Sequence, residues 1–126
     1  VREPEILGRM TPDFAAITRL SRKKECIGIH AFSLAKEMGL TAICRNFAPL
    51  YGIDEESATG TSNCALACYL YRYVSKQDQY IFEQGHNLNS ISRIYVNLDT
   101  EDNTITGVWV GGYGYLSCLS QICCQP

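Results

Sequence analysis

Apolar and polar positions change period three times along the chain. Phe14, Ile17 and Leu20 recur at helical spacing and predict an amphipathic helix that Pro12 opens and that ends near Arg22. Asp13 lies in its first turn, where a negative charge suits the helix dipole. Residues 26–32 and 41–47 are strand-like, and the connection over residues 33–39 has a helical tendency closed by Gly39. Residues 49–57 carry turn formers and three consecutive acids, Asp54, Glu55 and Glu56, and read as a loop. From Ser62 to Val74 the chain runs SNCALACYLYRYV, with Arg72 as its one charge. A helix apolar on nearly every side must be enclosed on nearly every side. Four strand-like segments follow, at residues 80–84, 93–98, 104–110 and 113–119, with a polar hairpin connection at 99–103 and a bend permitted by Gly111 and Gly112. Strands do not alternate with helices, so the expected class is α+β: a curved, largely antiparallel or mixed sheet, barrel-like, wrapped around one buried central helix.

Composition narrows what such a domain does. The 126 residues are 46% hydrophobic, enough for one core and one domain, 1–126. The net charge is −2, and the longest basic run, Arg22-Lys23-Lys24, meets Glu25 at once. With no basic stripe, nucleic acid is excluded as the expected partner. No stretch reaches the roughly 20 apolar residues of a membrane helix. Seven cysteines at irregular spacing argue for reduced thiols and a cytoplasmic location over a disulfide framework. Their spacing with His30 and His86 does not answer the ligand rules for zinc, so no metal is expected. The chain begins at Val1, which points to a cleaved or processed protein.

Chemistry concentrates at residues 54–63, DEESATGTSN. An acidic segment leads into a Thr-Gly-Thr-Ser turn and the start of the apolar helix. The first amides of a helix lack intrahelical partners. Gly60 lets backbone approach a ligand, and the hydroxyls of Thr59, Thr61 and Ser62 stand within four residues. This is a cradle for a carboxylate or phosphate, and Glu56 beside it would meet a substrate amine. The same residues also fit a helix cap at Thr61 or Ser62, with Glu56 merely favouring the dipole. The residues alone leave both readings open.

The run from Arg45 to Thr61, RNFAPLYGIDEESATGT, resembles the signature of the phenazine-biosynthesis (PhzF-like) isomerase family: R-x-F-A-P, then G-I, then E-D-P-A-T-G-S and a small-residue helix. Gln84-Gly85, Ile94-Tyr95-Val96 and Val110-Gly111-Gly112 resemble its later landmarks in order, and Pro12-Asp13-Phe14 the helix opening its second half. The resemblance implies one lobe of a diaminopimelate-epimerase-like fold, with the active site between two lobes. It implies proton transfer on a small carboxylated substrate, with neither metal nor organic cofactor. The family's general acid/base would lie in the N-terminal lobe, absent from this sequence. Carried over, the family aspartate falls on Glu56, which would orient the substrate near the migrating proton. The family serine falls on Thr61, which with Gly60 would hold the carboxylate, flanked by Thr59 and Ser62. Asp-to-Glu, Pro-to-Ser57 and Ser-to-Thr61 are departures; the first moves a carboxylate by about a bond length, enough to change substrate choice. A homodimer is implied by the resemblance alone.

Other residues read as structural. Cys64 and Cys68 fall in the apolar helix, where a thiol behaves as a small hydrophobe. His30 alternates with isoleucines in a strand, and His86 is expected to be exposed in a loop. Arg45 is expected to pair with Glu55 or Glu56. Tyr69, Tyr71 and Tyr73 span different helix faces. The leading function is thus an isomerase or epimerase lobe active only with its N-terminal partner lobe. Its competitors are a non-catalytic module binding small carboxylates and an inactive half-domain.

Overall fold

The computed structural model describes residues 1–116. A short helix α1 (Pro4–Arg9) and a longer α2 (Phe14–Lys24) precede strands β1 (Ile29–Leu34) and β2 (Ala42–Ala48). A 3-10 turn (Pro49–Tyr51) leads into β3 (Ile53–Glu56), followed by helix α3 (Gly60–Tyr73). Strands β4 (Gln79–Gln84), β5 (Ser92–Glu101) and β6 (Thr104–Gly112) complete the described fold. The six strands form one mixed sheet in the order β1-β2-β4-β5-β6, with β3 paired to β2 beside that path. Only β2 and β4 run parallel; the remaining pairs are antiparallel.

β2 is covered on both faces, and the alternation of its side chains decides what each face does. Ala42 and Cys44 join a core made with Leu66, Ala67, Leu70 and Tyr71 of α3 and with Tyr80, Phe82, Ile94, Val96 and Leu98 of β4 and β5. Phe47 turns the other way and meets Phe14 of α2 at 6.4 Å between ring centroids. Arg45, on that same side, donates from one terminal nitrogen to the carbonyls of Leu7 (3.0 Å) and Met10 (2.8 Å) and so ties down the end of α1.

Several elements differ from the sequence expectation. Asp13 is the cap of α2, accepting from the Ala16 amide at 2.9 Å, and the helix runs two residues past Arg22 to Lys24. The short α1 buries Leu7 alone, too little to show as a periodic stripe. Residues 33–39 form no helix, because pairing with β2 carries β1 through Leu34 and the chain then turns. Residues 53–56 are a strand where a loop is expected, since Ile53 and Glu56 find partners in Ala48 and Asn46. Gly111 and Gly112 continue β6 opposite Tyr95 and Ile94 instead of bending it. No strand forms over residues 113–116, and the rest of the segment expected at 113–119 lies outside the described residues.

The helix α3 starts at Gly60, two residues before the expected Ser62. Among the described residues it is enclosed on one face only: Asn63, Leu66, Ala67, Leu70 and Tyr71 are buried, while Tyr69 and Tyr73 are half or more exposed. The sheet is likewise open, with β1 and β6 at its ends. No helix among the described residues is long and apolar enough to cross a membrane.

Candidate active site

The pairing of β2 with β3 sets two acidic residues on opposite sides of one ribbon. Asn46 and Glu56 are direct partners in the register, and their neighbours Arg45 and Glu55 therefore point away from them. Arg45 donates to both Glu55 oxygens, from Nε at 2.9 Å and from a terminal nitrogen at 2.7 Å. Both side chains are buried, 6% and 9% exposed. The expected partner of Arg45 is thus Glu55, and Glu56 is left to other contacts.

Glu56 is held by neutral donors. Asn46 Nδ2 donates to Oε2 at 3.1 Å and Thr59 Oγ1 to the same oxygen at 2.5 Å. The fully buried Gln84 locks this corner from β4, donating to the Glu56 carbonyl at 2.8 Å and to Thr59 Oγ1 at 3.0 Å. Its own oxygen accepts from Asn63 Nδ2 at 3.0 Å, and Asn63 also donates to the Thr59 carbonyl at 2.8 Å. Gly85, next in the chain, permits the close approach. Its φ is +92°, and a Cβ there would stand 2.1 Å from the Ser90 carbonyl oxygen and 3.1 Å from the Ser57 Cα.

Beside Glu56 the start of α3 is bare. Thr59 is its N-cap residue but its side chain makes no cap bond, because the hydroxyl is committed to Glu56. The first intrahelical bond is from Asn63 N to the Thr59 carbonyl, which leaves the amides of Gly60, Thr61 and Ser62 without helical acceptors. The helix thus begins as an anion-friendly surface. An open cavity of about 410 Å³ lies here, lined by Asn46, Tyr51, Glu56, Thr59, Thr61 and Ser62 with Ile27, Ala48 and Ile53.

Four of the five sequence-predicted site residues, Glu56, Thr59, Thr61 and Ser62, therefore line one cavity. Gly60 does not: a Cβ on it would make ordinary contact, 3.6 Å, with Val110 of β6. Asn46, Asn63 and Gln84 also belong to the site, although the motif does not mark them. Each is a polar residue within an otherwise apolar strand or helix face, and that break in pattern is the signal that marks them. His30 also joins the set, its Nδ1 3.1 Å from Asn46 Oδ1. Burial holds its imidazole below the ordinary value, against the Asn46 and Asn63 side chains, which favour the charged form.

His86 is elsewhere, half-buried instead of exposed. It stands 3.1 Å from Glu83, whose carboxyl is held below the usual range chiefly by the hydrogen bond from Arg93. Cys64 and Cys68 are free and partly buried, and burial pushes the Cys64 thiol up, away from the reactive thiolate. Cys44 is pushed up to about 12 by burial. Among the described residues no three His, Cys, Asp or Glu side chains converge on a metal position.

A mixed sheet with one helical layer on its inner face and a carboxylate-lined cavity at a helix start defines an α+β lobe. The chain belongs to the phenazine biosynthesis-like (PhzC-PhzF) family, whose model matches residues 1–118. Among curated proteins it is 27% identical over 115 residues to an uncharacterized isomerase of Clostridium acetobutylicum, covering 81% of this chain and 36% of the relative. An uncharacterized isomerase of Deinococcus radiodurans is 28% identical over 115 residues, covering 87% and 37%. The chain thus spans little more than a third of these relatives' length. The crystal structure of the Bacillus anthracis phenazine biosynthesis protein of the PhzF family superposes with a TM-score of 0.66 at 24% identity, covering 83% of this chain and 38% of that one. A phenazine biosynthesis PhzC/PhzF protein from Clostridium difficile gives 0.62 at 18% identity, covering 94% and 43%.

Proposed function

We propose that this chain is the C-terminal lobe of a two-lobed isomerase or epimerase of PhzF type and supplies half of an interlobe active site. One observation carries the reading. Within the family signature, the Glu56 carboxylate is held by uncharged donors at the wall of a cavity that also receives the uncapped start of α3. A substrate carboxylate would lie against the Thr61 hydroxyl and amide, with Ser62 beside it. Its amine or hydroxyl would face Glu56, near the migrating proton. Thr59 serves the site indirectly, because its hydroxyl is already shared between Glu56 and Gln84.

The reaction would be general acid–base catalysis, a proton taken next to a carboxylate or conjugated system and returned to another carbon or the opposite face. Among the described residues Glu56 is the only carboxylate lining the cavity, and no Lys, Arg or His lines it. The base is therefore assigned to an N-terminal lobe, and no organic cofactor is invoked. The open sheet and the exposed face of α3, with Tyr69 and Tyr73, support a diaminopimelate-epimerase-like lobe whose sheet curls around that helix in the complete protein.

That the described lining holds no second proton-transfer group favours one alternative, a non-catalytic module binding small carboxylates. Solvent-deuterium incorporation separates the two. The chain is assayed alone and joined to a family N-terminal lobe, against a panel of small amino-bearing carboxylic acids in D2O. The isomerase reading expects incorporation only with the added lobe. Calorimetric binding by the chain alone, with no incorporation in either form, would leave the binding module.

A further inference from the structure

The polar side chains behind Glu56 form a ring that fixes where protons sit. A carboxylate only accepts, so the Asn46 group facing Glu56 is its NH2, as the 3.1 Å Nδ2-to-Oε2 bond records. The Asn46 oxygen then faces His30 Nδ1 at 3.1 Å and can only accept. The proton of that bond must therefore reside on His30 Nδ1. His30 Nε2 is left as a bare acceptor, buried and without a hydrogen-bond partner among the described residues, with the Asn63 side chain nearby. On the far side of the ring Asn63 uses its NH2 on the Thr59 carbonyl and on Gln84 Oε1, so its Oδ1 is a second buried acceptor without a partner among the described residues. Two orphaned acceptors on neighbouring members of one network are costly. They accompany an arrangement in which Asn46 donates to Glu56, Gln84 to the Glu56 carbonyl and Thr59, and Asn63 to the Thr59 carbonyl and Gln84.

We propose that His30, held as the Nδ1–H tautomer, is a positioning residue for Glu56: it pins the Asn46 oxygen and so forces the Asn46 NH2 onto the Glu56 carboxylate. Without that donor the Asn46 oxygen loses its partner, and the amide is held at one end only, by its bond to Glu56. The carboxylate would then have the Thr59 hydroxyl as its one anchored donor, and an Asn46 amide that swings with it would no longer fix its direction at the cavity wall. The consequence for catalysis rests on the reading of Glu56 given above; the tautomer and the amide orientation do not.

The test is made on the intact chain by nitrogen-15 NMR at neutral pH. Long-range proton–nitrogen correlations report which ring nitrogen of His30 carries the proton. The expected pattern is a protonated Nδ1 and a bare Nε2, the reverse of the tautomer usual for imidazole in water. A protonated Nε2 with bare Nδ1 overturns the proposal whatever the enzyme does. Two variants then separate positioning from packing. In His30→Asn a side-chain N–H replaces Nδ1–H, and the Asn46 side-chain NH2 should keep its wild-type shifts and slow exchange with solvent. In His30→Leu the same NH2 signals should move and exchange on the order of tenfold faster. Identical Asn46 signals in the two folded variants would overturn the proposal. If His30→Leu does not fold, the wild-type tautomer and the His30→Asn spectrum decide it. An activity defect without these signatures would count against His30 and leave the function of Glu56 intact.

Discussion

The two sides of the β2–β3 ribbon receive the same chemical raw material and use it differently. On one side Glu55 meets Arg45 in a buried, two-point ion pair that also anchors α1 through Leu7 and Met10. On the other side Glu56 meets Asn46 and Thr59, which carry no charge, and borders a cavity. A carboxylate matched to a guanidinium inside the protein is committed to structure, because separating the pair strands a charge. A carboxylate held by an amide and a hydroxyl is oriented without being neutralised, so it can still answer a substrate. Two adjacent glutamates thus divide into scaffold and candidate chemistry by strand alternation alone.

The difference can be broken most forcefully from the structural side. Glu55→Ala should cost roughly 3–5 kcal/mol, since Arg45 is then buried without its carboxylate; urea denaturation reads the loss. A cost below about 1 kcal/mol would mean that the pair is no scaffold. Next comes the docking of β4 onto the Glu56–Ser57 backbone. Gly85→Ala forces a Cβ into the Ser90 carbonyl at φ +92°, and should cost about 1–3 kcal/mol, again by denaturation. Asp13→Ala removes the cap of α2, on the Arg45 side of the sheet. It should cost about 1 kcal/mol and leave substrate handling untouched.

The smallest effect is in pH. Burial lowers the His30 value from its ordinary 6.5. Between 6.5 and the lower folded value the unfolded chain therefore binds more protons than the folded one. Stability must then fall as pH drops through 6.5 toward the folded value. His30→Asn removes this contribution, so the gap between wild type and variant should be flat above 6.5 and change below it, in the sense of a wild type that weakens. Parallel stability curves through that window would show His30 to be unshifted.

How much of this could be read from the residues depended on whether the signal was local. The helix with Phe14, Ile17 and Leu20 and the strands expected at 80–84, 93–98 and 104–110 follow periodicity, and their existence is legible. The strand at residues 53–56 is not, because its three acids mask a pairing that exists only once β2 lies beside it. The composition of α3 is apolar all round, while the described fold covers one of its faces. At the site, Glu56 and the bare helix start were visible as a motif. The choice of Glu55 over Glu56 as the Arg45 partner is decided by side-chain alternation in a ribbon whose register the sequence does not state. The roles of Asn46, Asn63, Gln84 and His30 are tertiary, since each acts across 10 or more residues of chain on a neighbour that its own segment does not contain.

The measurement that bears most directly on the division of labour is solvent-deuterium incorporation by the two-lobed protein carrying Glu56→Gln or Glu55→Gln, with rates divided by the folded fraction of each. Glu56→Gln should stay fully folded and lose incorporation by about a hundredfold or more, while Glu55→Gln should lose stability and keep its rate per folded molecule. Equal rates per folded molecule for Glu56→Gln and wild type would remove Glu56 from the site and contradict the account.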